Sequence, residues 1–525
     1  MSPLILILFV GLFVHDAVAG ENPAVAVELS AVARLALILM PKLALGALYH
    51  LVCLHYRRRI VRGDGQRILR NFDRLASGFR AGIVALYLAD LFAASALIWV
   101  RDILFDVVLV DELIVMLPTL LLMMWMWLSF YALDRQLRES ALMGRLDQGK
   151  PVHILTRGQF VLSQLRHQWA LMGVPLLIIV GWTEFVETAL AARVSDGGRA
   201  GLLLAGAAGV FVFTPLIMRF IWDTVPLPAG ELRDMLTDMC RQHRVGVRDL
   251  LLWRTFGGMI NGAVMGLFRP LRYILLTDAL LETMPAKQVE AVMAHELAHV
   301  RKHHMFWMLV VAGAAMQLLN WAADRAIAGV FALALRSDSL DHWPQAFVAV
   351  IEHPDAASMV AMMLSLVGWF YVFGWISRRF ERQADSFAVQ HLARRWHEEQ
   401  QARRDLNFGM LVSSDPATAA PPMFLSERGV ASALGATDAP GVSPTSIPTA
   451  ASDAMVRALQ IVADQNAIPT KRKSWRHGSI AWRQDYLRTL PGQPIDQLAI
   501  DRLVFRIQVA GVVMLAAAVA LQVWA

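Results

Sequence analysis

Residues 294–299, near the middle of the chain, have the composition of a metal-binding helix. The run reads Ala-His-Glu-Leu-Ala-His. On a helix, His295 and His299 lie on one face, so both imidazoles can reach one metal ion while Glu296 lies beside its open position. The pattern is typical of zinc sites that activate water to hydrolyse peptide bonds. The alternative is a helix with two solvated histidines, because two imidazoles alone make an incomplete catalytic zinc site.

A second polar segment offers the missing ligand. Residues 377–388 contain no helix breaker and directly follow an apolar stretch. We expect Glu381 to be the third zinc ligand. Asp385 lies one helical turn later on the same face, where it can accept the outer N–H of a ligating imidazole and fix its tautomer. The alternative is a charged helix end whose carboxylates pair with the neighbouring arginines.

The bulk composition predicts a polytopic membrane protein. The chain is 56% hydrophobic and 18% charged, and its mean hydropathy is +0.47, outside the balance of soluble proteins of this length. The two cysteines, Cys53 and Cys240, offer neither a disulfide framework nor a thiolate zinc site. Membrane topology and anionic lipid headgroups explain the net charge of +6, so no nucleic-acid partner is expected.

Eight stretches are apolar and long enough to cross a membrane. They lie near residues 35–55, 80–100, 112–133, 168–190, 200–222, 305–334, 357–377 and 503–524. Residues 1–20 are a shorter apolar segment that resembles a signal peptide without a basic start, and both its cleavage and its retention stay open.

The distribution of charge predicts which side the polar segments face. The connection between residues 57 and 80 carries eight arginines against two aspartates, which indicates the cytoplasm. Alternation of the spans then places residues 223–304 and 378–502 on that same side, joined by a membrane hairpin, so that both can reach one metal. The predicted organisation begins with a segment 1–20 and about five spans in 21–222. A metallopeptidase domain follows in two halves, 223–304 and 378–502, which are separated by the hairpin 305–377. The second half contains a flexible Pro-, Ala- and Ser-rich insertion at 412–453, and a last span lies in 503–525.

Short elements surround the site. Residues 250–253, 259–267 and 273–276 are predicted strands, and a strand with a free edge could bind an extended peptide. Residues 454–466 are predicted to form a packing helix. We interpret His303 and His304 as residues of the membrane interface, with indirect support of the metal site as the alternative.

Several segments in the same order resemble the integral-membrane zinc metallopeptidases that include the type-1 CAAX prenyl proteases and the bacterial heat-shock protease HtpX. They lie at residues 261–266, 272–280, 295–299, 377–385 and 476–483. The resemblance covers about residues 223–304 and 377–490. Two positions depart from the family pattern: Gly262 stands where alanine is usual and Gly478 where proline is usual.

The resemblance implies a role for each matched residue. His295, His299 and Glu381 would hold one zinc ion, and Glu296 would be the general base. Asn261 would lie on an edge strand that aligns the substrate backbone. His477 and Arg483 would contact the region of the scissile carbonyl, where a cation or hydrogen-bond donor can stabilise the developing oxyanion. Without the resemblance, these two residues are equally well explained as part of a basic cluster near the membrane.

The sequence therefore predicts a mainly α, multi-pass membrane helical bundle with a small zincin-like α+β metallopeptidase domain. We expect a zinc endopeptidase that cleaves membrane-associated proteins or peptides at the cytoplasmic face of a bacterial inner membrane. One alternative is a transporter or scaffold with a structural metal site, and another is a catalytically inactive relative. The substrate and the oligomeric state stay open.

Overall fold

The computed structural model describes most of the chain. The described residues are 4–21, 29–60, 65–104, 107–146, 155–190, 192–255, 259–334, 354–412, 445–466 and 468–524. The predicted insertion at 412–453 falls mostly outside them.

Helices make up most of the described residues. They are α1 (Leu4–Glu21), α2 (Ala31–Ile60), α3 (Gly65–Phe92), α4 (Ala96–Leu104), α5 (Val110–Leu146), α6 (Arg157–Gln164), α7 (Leu171–Phe185), α8 (Asp196–Ile221), α9 (Glu231–Gln242), α10 (Asp278–Thr283), α11 (Ala286–Arg301), α12 (His304–Ala334), α13 (Pro354–Val412), α14 (Thr449–Gln465), α15 (Ile480–Leu487) and α16 (Ala499–Trp524). Two π-helical stretches, Leu165–Ala170 and Val186–Leu190, flank α7.

One small sheet accompanies the helices. Its strands are β1 (Thr224–Pro226), β2 (Asp249–Trp253), β3 (Gly262–Met265) and β4 (Tyr273–Thr277), in the order β1-β2-β4-β3. Strands β3 and β4 run antiparallel, with Gly262 opposite Leu276 and Met265 opposite Tyr273. The predicted fold class, mainly α with a small α+β part, is confirmed.

Eight helical segments within the described residues are long and apolar enough to span a membrane, as the sequence predicts. The chain is thus a multi-pass membrane protein. The second span differs from its predicted range of 80–100 because α3 ends at Phe92. Ser95 has a φ of 46°, a left-handed conformation that interrupts the helix, and the remaining apolar residues form the short helix α4.

The described contacts divide the chain into two compact units. The first consists of residues 1–225 with 253–258, and the second of 226–252 with 259–525. In the first unit, Leu8 of the signal-like segment is fully buried in a cluster with Tyr87 and Leu91 of α3. Lys42 and Asp90, both inside apolar spans, pair with each other there, which limits the cost of their burial.

The second unit contains every predicted site residue. Its hairpin consists of α12 and α13, and α16 packs against α12. Helix α13 continues without a break past the end of its apolar stretch, so one rigid element carries both a membrane span and the segment with Glu381. The predicted domain boundary at residue 377 therefore falls inside a continuous helix.

The chain turns sharply between α11 and α12. The helix with the histidine pair and the apolar helix that follows it are separate elements. Helix α11 ends at Arg301, and His303 has a φ of 53° before α12 begins at His304. Histidine is among the few residue types that adopt this left-handed conformation with some frequency.

The helix predicted at 454–466 begins earlier than expected. Helix α14 starts at Thr449, directly after Pro448, and its Ala451, Met455 and Ala458 are buried in the core of the second unit. Proline is common where a helix begins because it has no N–H to leave without a partner. The end of the predicted insertion at residue 453 was therefore placed too late.

A buried polar chain connects three helices of the second unit. Nε2 of His243, at the end of α9, lies 3.0 Å from Nδ1 of His391 in α13. Nε2 of His391 lies 2.9 Å from Oε1 of Glu290 in α11. Burial, aided by the nearby His391, Arg394 and Arg301, lowers the pKa of His243 to about 4 from 6.5.

This shift predicts a loss of stability in acid. Between pH 6.5 and pH 4 the unfolded chain binds a proton at His243 that the folded chain does not, so the free energy of unfolding falls as the pH falls through 6.5. At pH 5 the loss is about 2 kcal/mol relative to pH 8. His243→Gln should reduce the decrease in melting temperature between pH 8 and pH 5, measured on the purified full chain in detergent. The exposed His303 provides the control His303→Asn, and an equal acid sensitivity of all three proteins would contradict the prediction.

Candidate metal centre

Helix α11 places the two predicted histidine ligands together. Its buried side packs Val289, Met293 and Leu297 into the core of the second unit, which fixes the rotation of the helix. His295 and His299 consequently point the same way, and their Nε2 atoms are 3.3 Å apart. Burial lowers the pKa of His299 well below its usual value, so its imidazole is neutral, as a metal ligand must be.

Helix α13 brings Glu381 to the same point. Its Oε2 lies 3.6 Å from Nε2 of His295, and its Oε1 lies 3.8 Å from Nε2 of His299. The donor atoms of a tetrahedral zinc site, with bonds of about 2.0–2.1 Å, are separated by about 3.3 Å. The two separations to Glu381 involve different oxygens of this residue and are slightly longer than this value, and the three residues form a His-His-Glu group that could hold a metal.

Asp385 supports the first histidine. It is fully buried, and its Oδ1 lies 2.9 Å from Nδ1 of His295. A carboxylate accepts the Nδ1 proton and leaves the lone pair of Nε2 free for the metal. Burial alone would lower the pKa of His295, but the hydrogen bond to Asp385 and its charge raise it.

Arg483 is buried behind the two carboxylates. Its Nε and Nη2 donate to the two oxygens of Asp385 at 2.8 and 2.6 Å. Its Nη1 lies 3.3 Å from Oε2 of Glu381. A guanidinium matches a carboxylate in such a two-point arrangement, so this geometry fixes the carboxylates and leaves Arg483 little freedom to reach a substrate.

His477 lies at the open side of the centre. Its side chain is 51% exposed, and its Nδ1 lies 2.8 Å from Oε1 of Glu381. The loop that carries it is fixed by Trp475, whose ring stacks on Phe370 of α13 with centroids 4.0 Å apart and whose indole N–H donates to the Phe370 carbonyl at 2.8 Å. Gly478 has a φ of +75°, a value that proline cannot adopt. Glycine at this position therefore permits a backbone conformation that proline would exclude.

Glu296 lies between the histidine pair and strand β3. Burial raises the pKa of this carboxyl to about 7, and the charge of Glu381 adds to the effect. A side chain on Gly262 would place its Cβ 3.6 Å from Cγ of Glu296 and 3.0 Å from Cγ1 of Val292. Glycine thus lets β3 pass very close to the helix that carries Glu296.

Asn261 precedes β3 by one residue. Its backbone N–H donates to Oγ1 of Thr277 at 3.0 Å, and its carbonyl accepts from the N–H of Thr277 at 3.1 Å. These bonds fix the backbone at the start of the strand. The side chain of Asn261 is exposed, and the structure does not bring it into contact with His295, His299 or Glu381.

His304 belongs to the site although we interpreted it as interfacial. It is 3% exposed, and its Nδ1 lies 3.0 Å from Nδ1 of His299. His304 is the first residue of a candidate membrane span, and the turn at His303 also brings it against His299, as the alternative of indirect support predicts. His303 itself is exposed. The signal available in the sequence was a third histidine five residues after His299, but the turn that brings it back is not evident from residue types.

Comparison with known proteins gives matches to parts of the chain. Residues 249–425 match the model of peptidase family M48. A protease HtpX homolog from Chlorobium phaeovibrioides is 27% identical over 215 residues, which are 37% of this chain and 69% of the relative. A protease HtpX homolog from Prosthecochloris aestuarii is 27% identical over 190 residues, 33% of this chain and 65% of the relative. The crystal structure of S. mikatae Ste24p aligns with 88% of this chain and 100% of its own, at 13% identity and a TM-score of 0.39.

The geometry predicts which residues control metal content. Glu381→Ala and His295→Ala each remove one of three donors and should reduce bound divalent metal at least about tenfold. Metal would be measured by mass spectrometry of the purified full chain in detergent. Glu398 is exposed on the same helix, so Glu398→Ala is a matched control. Unchanged metal content in Glu381→Ala would show that this residue is not a ligand.

Proposed function

We propose that this chain, whose residues 249–425 match the model of peptidase family M48, is a zinc endopeptidase that holds one zinc ion and hydrolyses peptide bonds of membrane-associated proteins. One observation carries the proposal. Two helices far apart in sequence, α11 and α13, bring two imidazoles and a carboxylate within the separations of a three-ligand metal site. Glu296, the residue that a hydrolase needs as a base, lies on the same helix as the imidazoles.

The residues of the chain divide the chemical work. Zinc, when bound, lowers the pKa of a water molecule and polarises a carbonyl oxygen. Glu296 accepts the proton of the attacking water and returns it to the leaving amine. Burial raises the pKa of this carboxyl to about 7, which would make it a stronger base than a carboxylate in water.

The charged side chains of Asp385 and Arg483 keep the proposed metal ligands His295 and Glu381 in place. Asp385 holds the tautomer of His295, and Arg483 holds Asp385 and Glu381 by three contacts. We therefore assign Arg483 mainly to positioning. His477 lies at the open side, held to Glu381 through Nδ1, and its Nε2 could donate to the oxygen of the scissile carbonyl when both ring nitrogens carry a proton. The resemblance assigns both residues to the carbonyl region, and this role is better suited to the exposed His477.

Strand β3 supports a proposal for substrate binding. It is the last strand of the described sheet and pairs with β4 on one side. The side chain of Asn466 pairs with both backbone groups of Ile260, at 3.0 and 2.9 Å, and so covers the edge just before the strand. An extended peptide would add to the edge at residues 262–265, where Gly262 adjoins Glu296. Asn261 would align the first residue of that peptide.

We also propose a location and a class of substrate. Eight candidate spans and the arginine-rich connection at 57–80 support a catalytic site on the cytoplasmic face of a bacterial inner membrane. Lipids would be the chain's permanent environment, and membrane-associated proteins or peptides would be its substrates. Relatives described as protease HtpX homologs support a peptidase rather than a transporter, a scaffold or an inactive relative.

The base assignment predicts a clean separation of metal binding from catalysis. Glu296→Gln keeps the size of the side chain but cannot accept a proton, so zinc should be retained while cleavage falls by roughly 10²- to 10⁴-fold. Cleavage would be measured with a library of fluorogenic peptides and the purified full chain in detergent, with Glu398→Gln as the control. Full activity in Glu296→Gln would refute the assignment.

The same variant identifies substrates. Membranes from cells with the wild-type chain should contain protein termini that are absent from cells with Glu296→Gln, as measured by terminal-peptide mass spectrometry. The new termini should belong to membrane-associated proteins and lie within extended segments. Identical sets of termini, together with flux of a solute in proteoliposomes of both proteins, would favour a transporter with a structural metal site.

A further inference from the structure

A line of hydrogen bonds leads from His299 to the last helix of the chain. Nδ1 of His299 is 3.0 Å from Nδ1 of His304, and Nε2 of His304 is 2.9 Å from Oε1 of Gln383 in α13. Nε2 of Gln383 donates at 2.7 Å to Oδ1 of Asp501, in the first turn of α16. The four residues come from four different helices.

With both imidazoles neutral, the direction of every proton along this line follows from its far end. The Asp501 carboxylate only accepts, so the amide nitrogen of Gln383 must face it and the amide oxygen must face His304. That oxygen also only accepts, so Nε2 of His304 carries a proton. Nδ1 of a neutral His304 is then an acceptor, and Nδ1 of His299 is the donor. This leaves the lone pair of His299 on Nε2, the atom that faces His295 and Glu381.

The residues around this line of hydrogen bonds, which we call the relay (His299, His304, Gln383 and Asp501), keep its groups in these orientations. The ammonium of Lys302 lies 3.0 Å from Oδ1 of Asp501, so a cation holds this carboxylate at the end of the line. The ring of His304 stacks on Phe380, with centroids 4.6 Å apart and planes 10° from parallel, so its orientation is fixed. His304 and Gln383 are 3% and 4% exposed, and water therefore has little access to compete for these bonds.

We infer that His304, oriented by Gln383 and Asp501, is a positioning residue that sets the tautomer of His299 and thereby couples the C-terminal helix to the metal centre. The inference rests on the proposed zinc site. It differs from the support of His295, where the partner is the carboxylate of Asp385. Residues that hydrogen-bond to a ligating imidazole typically change metal affinity by 10–100-fold when they are removed.

Metal affinity tests the inference without any assay of cleavage. The full chain in detergent would be titrated with Zn²⁺ against a chromogenic chelator, and with Co²⁺ to record the absorption bands of the bound ion. His304→Leu removes the acceptor and should weaken Zn²⁺ binding by about 10–100-fold and alter the Co²⁺ bands. His304→Gln, whose amide oxygen can accept the proton of His299, should restore most of the affinity. His303→Asn, one residue away and exposed, should bind like the wild type.

The relay also predicts how its members combine. Gln383→Leu and Asp501→Asn release the tautomer of His304 and should each weaken Zn²⁺ binding, and Gln383→Leu should add little to His304→Leu because both break the same line. These two variants carry the test if His304→Leu fails to fold. Wild-type affinity in the variants that fold, with only their melting temperatures lowered, would overturn the inference. A wild-type chain that binds no Zn²⁺ would refute the proposed function itself, which distinguishes the two failures.

Discussion

Two buried carboxylates, one helical turn apart on α13, are the constraint on which the site depends. Glu381 and Asp385 are 5% and 0% exposed, and burial of an ionised carboxylate costs several kcal/mol unless charges and hydrogen bonds compensate it. Arg483 provides three contacts to the pair, His295 contacts both carboxylates, and His299 and His477 each contact Glu381. The segment 476–483 is thus attached to the metal centre by charge. Loss of the guanidinium would leave two buried anions with too little compensation.

The helices that carry these charged residues fix the geometry of the site. Because α13 is continuous from residue 354 to residue 412, the height of Glu381 relative to the adjoining apolar span is fixed by helix geometry alone. The turn at Lys302 and His303 separates α11 from α12. The histidine pair on α11 can therefore face Glu381, while α12 forms the first helix of the membrane hairpin. Lys302 is then free to pair with Asp501, which ties the start of α16 to this same turn.

The parts of the site that follow from helical periodicity could be predicted from the sequence. Residues four apart share a face, which is why His295 with His299 and Glu381 with Asp385 were identified as pairs before any coordinates. The role of His304 could not be predicted because it depends on one left-handed residue, His303, that follows no compositional rule. The contact of Arg483 with Asp385 spans about a hundred residues, and only packing determines it. The end of the second span at Phe92 was missed because Ala93 and Ala94 are apolar and do not mark a break.

His295 has a carboxylate as its partner, Asp385, whereas His299 has the imidazole of His304. This difference is consistent with the limited negative charge that a buried site can hold. Glu296, Glu381 and Asp385 contribute three negative charges, which one guanidinium and one divalent ion would balance. A carboxylate in place of His304 would add a fourth negative charge within a buried space, and this is costly where water cannot screen it. A neutral imidazole gives His299 the acceptor that it needs without that charge. The carboxylate that orients the relay, Asp501, lies two hydrogen bonds further away, where Lys302 neutralises it. Asp501 therefore fixes the tautomer of His299 through Gln383 and His304, while its negative charge stays in the first turn of α16, away from the proposed metal site.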